Sequence, residues 1–122
     1  MEDKINILYV DDEVLNVEVF ELTFSWNYNV FKAYNGNEGL EVLQNNPEIQ
    51  FVISDMKMPG MTGLEFIQEV KKGYPALPCM ILSGYQQSDE IVEALKNDVI
   101  ISYMMKPFNR KKIEELINKN NN

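Results

Sequence analysis

Ile5-Asn6-Ile7-Leu8-Tyr9-Val10-Asp11-Asp12 and Phe51-Val52-Ile53-Ser54-Asp55 are the two stretches whose reading decides the fold. Each is an apolar run of strand length that ends on carboxylates, and neither shows the polar alternation of a strand with one wet face. Such runs suit strands buried on both faces of a parallel sheet. If the two are neighbours, Asp11, Asp12 and Asp55 converge at one edge of that sheet. Like charges repel there, and a divalent cation is the natural counterion. Mg²⁺ prefers carboxylate oxygens, keeps several waters and commonly works on phosphate, so the cluster points to phosphoryl chemistry.

Outward from these stretches the same rhythm repeats. Further strands are expected at Asn29 to Ala33, Cys79 to Leu82 and Ile100 to Met104, which with the first two makes five βα units. Between them Leu15, Val19, Leu22 and Trp26 form one helical stripe, Leu64, Ile67 and Val70 another, and Ile113, Leu116 and Ile117 a third. Leu40 with Leu43, and Ile91 with Leu95, mark the remaining helices. Asn35 and Thr62, each followed three residues later by a glutamate, read as capping boxes, and Ser88 before Asp89 and Glu90 reads as a third helix start. The asparagine-rich end, Asn118 to Asn122, reads as a frayed tail. In an open sheet of this kind ligands gather at the carboxyl ends of the strands, where the strand order reverses. Ser83 and Lys106 fall at such ends too, and a hydroxyl and an ammonium are what a phosphoryl group needs.

Composition narrows the function. A chain of 122 residues with 45% hydrophobic and 25% charged residues is one module with an ordinary core. A net charge of -8 argues against direct nucleic-acid binding, which needs a basic footprint. No apolar run reaches membrane-spanning or secretory length, and the single cysteine, Cys79, suits a reducing compartment, so a cytoplasmic location is expected. The chain has no histidine, which removes Ser-His and Cys-His nucleophile pairs and most zinc sites. If phosphate arrives through a histidine, that histidine belongs to another protein.

Taken in order, Asp11-Asp12-Glu13, the run Asp55-Met56-Lys57-Met58-Pro59-Gly60-Met61-Thr62-Gly63, Ser83-Gly84, and Tyr103 with Lys106-Pro107-Phe108 resemble a CheY-like response regulator receiver domain of two-component signalling. The resemblance covers residues 1–119 and leaves 120–122 as tail. It implies a flavodoxin-like (βα)₅ doubly wound α/β fold with a parallel five-stranded sheet in the order 2-1-3-4-5. It also implies that Asp55 accepts a phosphoryl group from a phosphohistidine of a sensor histidine kinase or histidine phosphotransfer protein. Mg²⁺ or Mn²⁺ would be held by Asp12, Asp55 and the backbone carbonyl of Lys57, with Asp11 acting through water. Lys106 and Ser83 would contact phosphoryl oxygens. Ser83 and Tyr103 would then switch the face made by the fourth helix, fifth strand and fifth helix, for a downstream target, an output domain or a homodimer.

The chain departs from the family pattern at Lys57 and Tyr85, which are bulky where the attacking water must approach and are therefore expected to tune dephosphorylation. It departs again at Asn97 to Ser102, which replaces the small turn that usually enters the last strand. The expected role is a signalling module, whether a stand-alone receiver or part of a larger regulator, and not a turnover enzyme. Two alternatives are a receiver that binds partners without phosphorylation and a small Mg²⁺-dependent phosphohydrolase. The second lacks the acid that such enzymes place two residues after the nucleophile, because Lys57 stands there.

Overall fold

The computed structural model describes residues 3–120. The two deciding stretches lie side by side as predicted: β1 (Ile5–Val10) pairs in parallel with β3 (Phe51–Ser54) in a register that sets Val10 opposite Ser54. β2 (Tyr28–Ala33), β4 (Cys79–Ser83) and β5 (Ser102–Met105) complete a parallel sheet in the order β2-β1-β3-β4-β5. The order reverses between β1 and β3, so the crevice at their carboxyl ends is where this topology favours a ligand.

Five helices cover the sheet: α1 (Val14–Phe24), α2 (Gly36–Asn45), α3 (Gly63–Gly73), α4 (Asp89–Lys96) and α5 (Arg110–Lys119). Helices α2, α3 and α4 bury Leu43, Phe66, Ile67, Val70 and Ile91 against Leu8, Val10, Val52 and Ile81. On the opposite face α1 and α5 bury Val17, Phe20, Phe24, Ile113 and Ile117 against Ile7, Tyr9, Ile53 and Leu82. Each such side chain contributes roughly 1.5–3 kcal/mol on leaving water, which makes the central strands the rigid base of everything at their ends.

The helix starts are where the caps predict. Thr62 and Glu65 form a reciprocal capping box, and Asn35 and Ser88 accept from the N–H groups of Glu38 and Ile91. Asn109, which the sequence reading passed over, caps α5 by accepting from the Lys112 N–H.

Three expectations need correction. Leu15, Val19 and Leu22 do lie along one side of α1, with Trp26 in the turn just past its end, but they face outward: Leu22 is 74% and Trp26 84% exposed, while Val17, Phe20 and Phe24 take the core side. The last strand starts at Ser102, not Ile100. Asp98 adopts φ 57°, and the Val99 N–H returns to the Ala94 carbonyl, so Ile100 is buried by the connection before the Ile101 N–H reaches the Cys79 carbonyl and pairing begins. The expected fraying from Asn118 on does not hold for Asn118 to Asn120. Asn118 accepts from the Tyr28 hydroxyl, and Asn120 closes α5 by donating to the Leu116 carbonyl; residues 121–122 lie outside the described ones.

Candidate functional site

The site is built by the ends of β1 and β3. Asp11 follows β1, and its N–H donates to the Ala33 carbonyl at 3.2 Å; Asp55 follows β3, and its N–H donates to the Val10 carbonyl at 2.9 Å. These backbone bonds hold two carboxylates at one strand end, Asp11 with no exposure and Asp55 with 7%. Asp12, one residue on, is exposed. One oxygen from each of the three lies within 4.8 Å of the others, a donor set of hard anionic oxygens that fits a divalent cation.

Lys106, just past β5, enters the cluster from the other side. Its Nζ donates to Asp11 Oδ2 at 2.9 Å and lies 3.4 Å from Asp55 Oδ2. Desolvation pulls the ammonium down, but the hydrogen bond to Asp11 and the charges of Asp55 and Asp11 outweigh it and hold the group above its ordinary value. For Asp55 burial is the larger influence. It raises the carboxyl above its ordinary value, Lys106 opposes the rise, and the negative charge of Asp11 adds to it. One cation therefore serves two buried carboxylates and leaves the cluster short of positive charge.

The loop after Asp55 is shaped by glycines. Gly60 takes φ +79°, which a residue with a side chain adopts only with strain. Gly63 opens α3 hard against the phosphoacceptor candidate: a Cβ there would come within 1.9 Å of the Asp55 carbonyl oxygen, while its N–H donates to the Met56 carbonyl at 2.8 Å. The Met56 N–H in turn donates to Asp55 Oδ1 at 2.8 Å, which orients that carboxylate.

Ser83 ends β4 fully buried, and the Lys106 N–H donates to its carbonyl at 2.8 Å. Its Oγ accepts from the Tyr85 N–H at 3.2 Å, and the Tyr85 carbonyl accepts from the Tyr103 hydroxyl. One residue, Tyr85, thus links the Ser83 hydroxyl through its N–H to the partly buried Tyr103 through its carbonyl. The exposed Tyr85 ring also carries the Lys57 ammonium, 4.2 Å from its centroid. The structure therefore gathers Asp11, Asp12, Asp55 and Lys106 directly and joins Ser83, Tyr85, Tyr103 and Lys57 in an adjoining chain of contacts.

Two neighbours were missed by the sequence reading, Tyr9 and Asn16. The Tyr9 hydroxyl donates to Asp11 Oδ2 at 2.8 Å and the Asn16 amide donates to the same oxygen at 3.3 Å. Burial, and after it the Asp11 charge, raises the Tyr9 phenol far above its ordinary value, so it stays a neutral donor. The alternation of β1 held the signal: Tyr9 and Asp11 are two residues apart and so share a face.

Residues 7–118 match the family described as the response regulator receiver domain. The chain belongs to this family. It is 36% identical over 120 residues to the uncharacterized transcriptional regulatory protein YesN of Bacillus subtilis, covering 91% of this chain and 32% of that protein. It is 32% identical over 117 residues to the transcriptional regulatory protein ZraR of Salmonella typhimurium, covering 95% of this chain and 26% of the relative. The receiver thus spans about a quarter to a third of the length of these curated relatives. Among solved structures, a response regulator receiver domain protein from Clostridium thermocellum superimposes with a TM-score of 0.88 at 30% identity, covering 95% of this chain and 93% of the other. Chemotaxis protein CheY4 of Vibrio cholerae gives 0.85 at 28% identity, covering 96% and 98%. Receivers of this family are signalling modules with a divalent-cation site at an acidic cluster, and the cluster here is Asp11, Asp12 and Asp55. Among the described residues no helix is long and apolar enough to cross a membrane.

Proposed function

We propose that this receiver is switched by phosphorylation of Asp55. The observation that carries the reading is the convergence of three carboxylates and Lys106 at the β1–β3 crevice. An oxygen of Asp55 attacks the phosphorus of a partner's phosphohistidine, the P–N bond breaks, and its electron pair returns to the imidazole nitrogen. Asp12, Asp55 and the Lys57 carbonyl would hold Mg²⁺ or Mn²⁺, with Asp11 assisting through water. The bound ion supplies positive charge for the phosphoryl oxygens. Lys106 moves from the carboxylates to a phosphoryl oxygen. Ser83, whose Oγ accepts from the Tyr85 N–H, donates a hydrogen bond from its hydroxyl to another.

Because the backbone of Tyr85 bonds Ser83 through its N–H and Tyr103 through its carbonyl, a shift of the Ser83 hydroxyl loosens the anchor of the Tyr103 ring. The response is then read on the α4-β5-α5 face by a downstream protein, an output domain or a second copy. Lys57 stacked on Tyr85 covers the approach to Asp55 and lengthens the life of the phosphoryl group. The donor has its own surface. A groove of about 530 Å³ lined by Leu15, Asn16, Val19, Lys106, Pro107 and Phe108 borders the cluster and runs into the outward apolar stripe of α1.

The test is incubation with acetyl phosphate and Mg²⁺ followed by intact mass. The reading expects one added phosphoryl mass that disappears with EDTA and with Asp55→Ala. No addition to the wild-type chain would leave a receiver that acts by binding alone. Trp26 is a poor reporter for this purpose, since it is exposed and lies past the far end of α1, about 15 Å or more from the cluster.

A further inference from the structure

Tyr9 is 1% exposed on β1, and its ring stacks on Phe20 with centroids 4.0 Å apart and planes 3° from parallel. The phenol therefore has one place to point. Its hydroxyl donates to Asp11 Oδ2 at 2.8 Å, beside Lys106 at 2.9 Å and the Asn16 amide at 3.3 Å, while Asp11 Oδ1 accepts from the Glu13 N–H at 3.0 Å. Three donors crowd one oxygen of a carboxylate that has no contact with solvent.

These donors differ in how they are held. Lys106 is shared with Asp55 Oδ2 at 3.4 Å and sits on a long, partly exposed side chain, so it is the donor free to turn to a phosphoryl group in the reading above. Tyr9 is fixed by its strand and by the Phe20 stack. Resting on the phosphoacceptor reading above, we propose that Tyr9, seconded by Asn16, is a positioning residue of the divalent-cation centre. Its hydroxyl sets the orientation of the Asp11 carboxylate before the cation binds and keeps that buried carboxylate hydrogen-bonded when Lys106 turns to the phosphoryl group. A buried carboxylate that loses its lysine and has no other donor is left short of partners and free to rotate. Donors behind the carboxylates of a metal centre matter for this reason: their removal weakens affinity by about 10–100-fold behind a direct ligand, and the low end of that range applies to Asp11, which acts through water.

The variant is Tyr9→Phe, which keeps the ring and its stack and deletes only the donor. Mn²⁺ serves as the probe, with free ion counted by electron paramagnetic resonance, and thermal unfolding without cation is followed in parallel. The inference expects a dissociation constant raised about tenfold in Tyr9→Phe, with a melting temperature close to that of the wild type. If Tyr9→Phe does not fold, Asn16→Ala carries the test with a smaller shift in the same direction. A dissociation constant within about twofold of the wild type overturns the inference and leaves Tyr9 a core residue. Tighter binding overturns it as well, because the hydroxyl would then be competing with the ion. A wild-type chain that binds no Mn²⁺ removable by Asp12→Ala overturns the phosphoacceptor reading itself. Wild-type binding that Tyr9→Phe leaves unchanged overturns only the role of Tyr9.

Discussion

Replacing Asp55 by asparagine should stabilise the cation-free protein. At an effective dielectric of about 20, the Lys106 ammonium 3.4 Å away attracts the Asp55 charge by about 5 kcal/mol. The Asp11 oxygen within 4.8 Å repels it by at least about 3.5 kcal/mol, and the exposed Asp12, at the dielectric of water, adds about 1 kcal/mol or more. Attraction and repulsion nearly cancel, so desolvation decides the sign, in keeping with burial as the larger influence on this carboxyl. An asparagine oxygen can still accept from the Met56 N–H.

The expected gain is about 1–2 kcal/mol at pH 7.5 in EDTA, which is a rise in melting temperature of roughly 3–8 °C for a chain of this size. The pH dependence follows from the raised carboxyl. Ionisation costs the folded wild type stability, so the difference between the two proteins is full above the raised folded pKa. It closes as pH falls towards the ordinary carboxylate value of 3.8. Added Mg²⁺ should reverse the ranking, since binding stabilises the wild type by about 1.4 kcal/mol for each tenfold excess over the dissociation constant. Circular dichroism melts with and without Mg²⁺ measure all of this. Destabilisation by Asp55→Asn in EDTA, or equal responses of both proteins to Mg²⁺, would refute the electrostatic argument.

Other substitutions and conditions probe the parts around the cluster. Gly63→Ala forces a Cβ onto the Asp55 carbonyl oxygen and should cost about 2–3 kcal/mol in urea unfolding while slowing acetyl phosphate labelling; an unchanged midpoint would contradict the close approach. Lys57→Asn removes the ammonium from the Tyr85 ring and should shorten the phosphoryl lifetime by severalfold, read from the decay of the phosphorylated mass. An unaltered decay would deny the pair its covering role. Alkaline pH should unfold the protein early. Burial pushes the Cys79 thiol up to about 12 from 9.0 and raises the Tyr9 and Tyr28 phenols from 10.0, and Lys106 is held above 10.5. In each case the folded chain keeps a proton that the unfolded chain gives up, so stability is full below pH 9. It should then fall by up to about 1.4 kcal/mol per pH unit for each group, and a flat urea midpoint from pH 8 to pH 11 would count against these burials.

The central strands were legible because continuous apolar runs admit one arrangement in a βα repeat, and β1 and β3 have the boundaries expected of them. The acidic cluster was legible for the same reason, since parallel neighbours must bring their carboxyl ends together. Less could be read at the edges. α1 is apolar on two sides, and helical period alone cannot say whether Leu15, Val19 and Leu22 or Val17, Phe20 and Phe24 meet the sheet. The stack of Phe20 on Tyr9 decides it. Ile100 and Ile101 looked like the start of the last strand, but a left-handed Asp98 folds Val99 and Ile100 back onto α4. Tyr9 was hidden by its type, because an aromatic residue inside a strand reads as packing until the fold places its hydroxyl against Asp11.

Chemical trapping identifies the residue that carries the phosphoryl group. After acetyl phosphate and Mg²⁺, borohydride reduction converts an aspartyl phosphate to homoserine, and peptide mass mapping locates it. Homoserine at position 55, absent when Mg²⁺ is withheld, is the predicted result. Homoserine at position 11 or 12, or none in a folded protein that binds Mn²⁺, would contradict the assignment of Asp55 as phosphoacceptor.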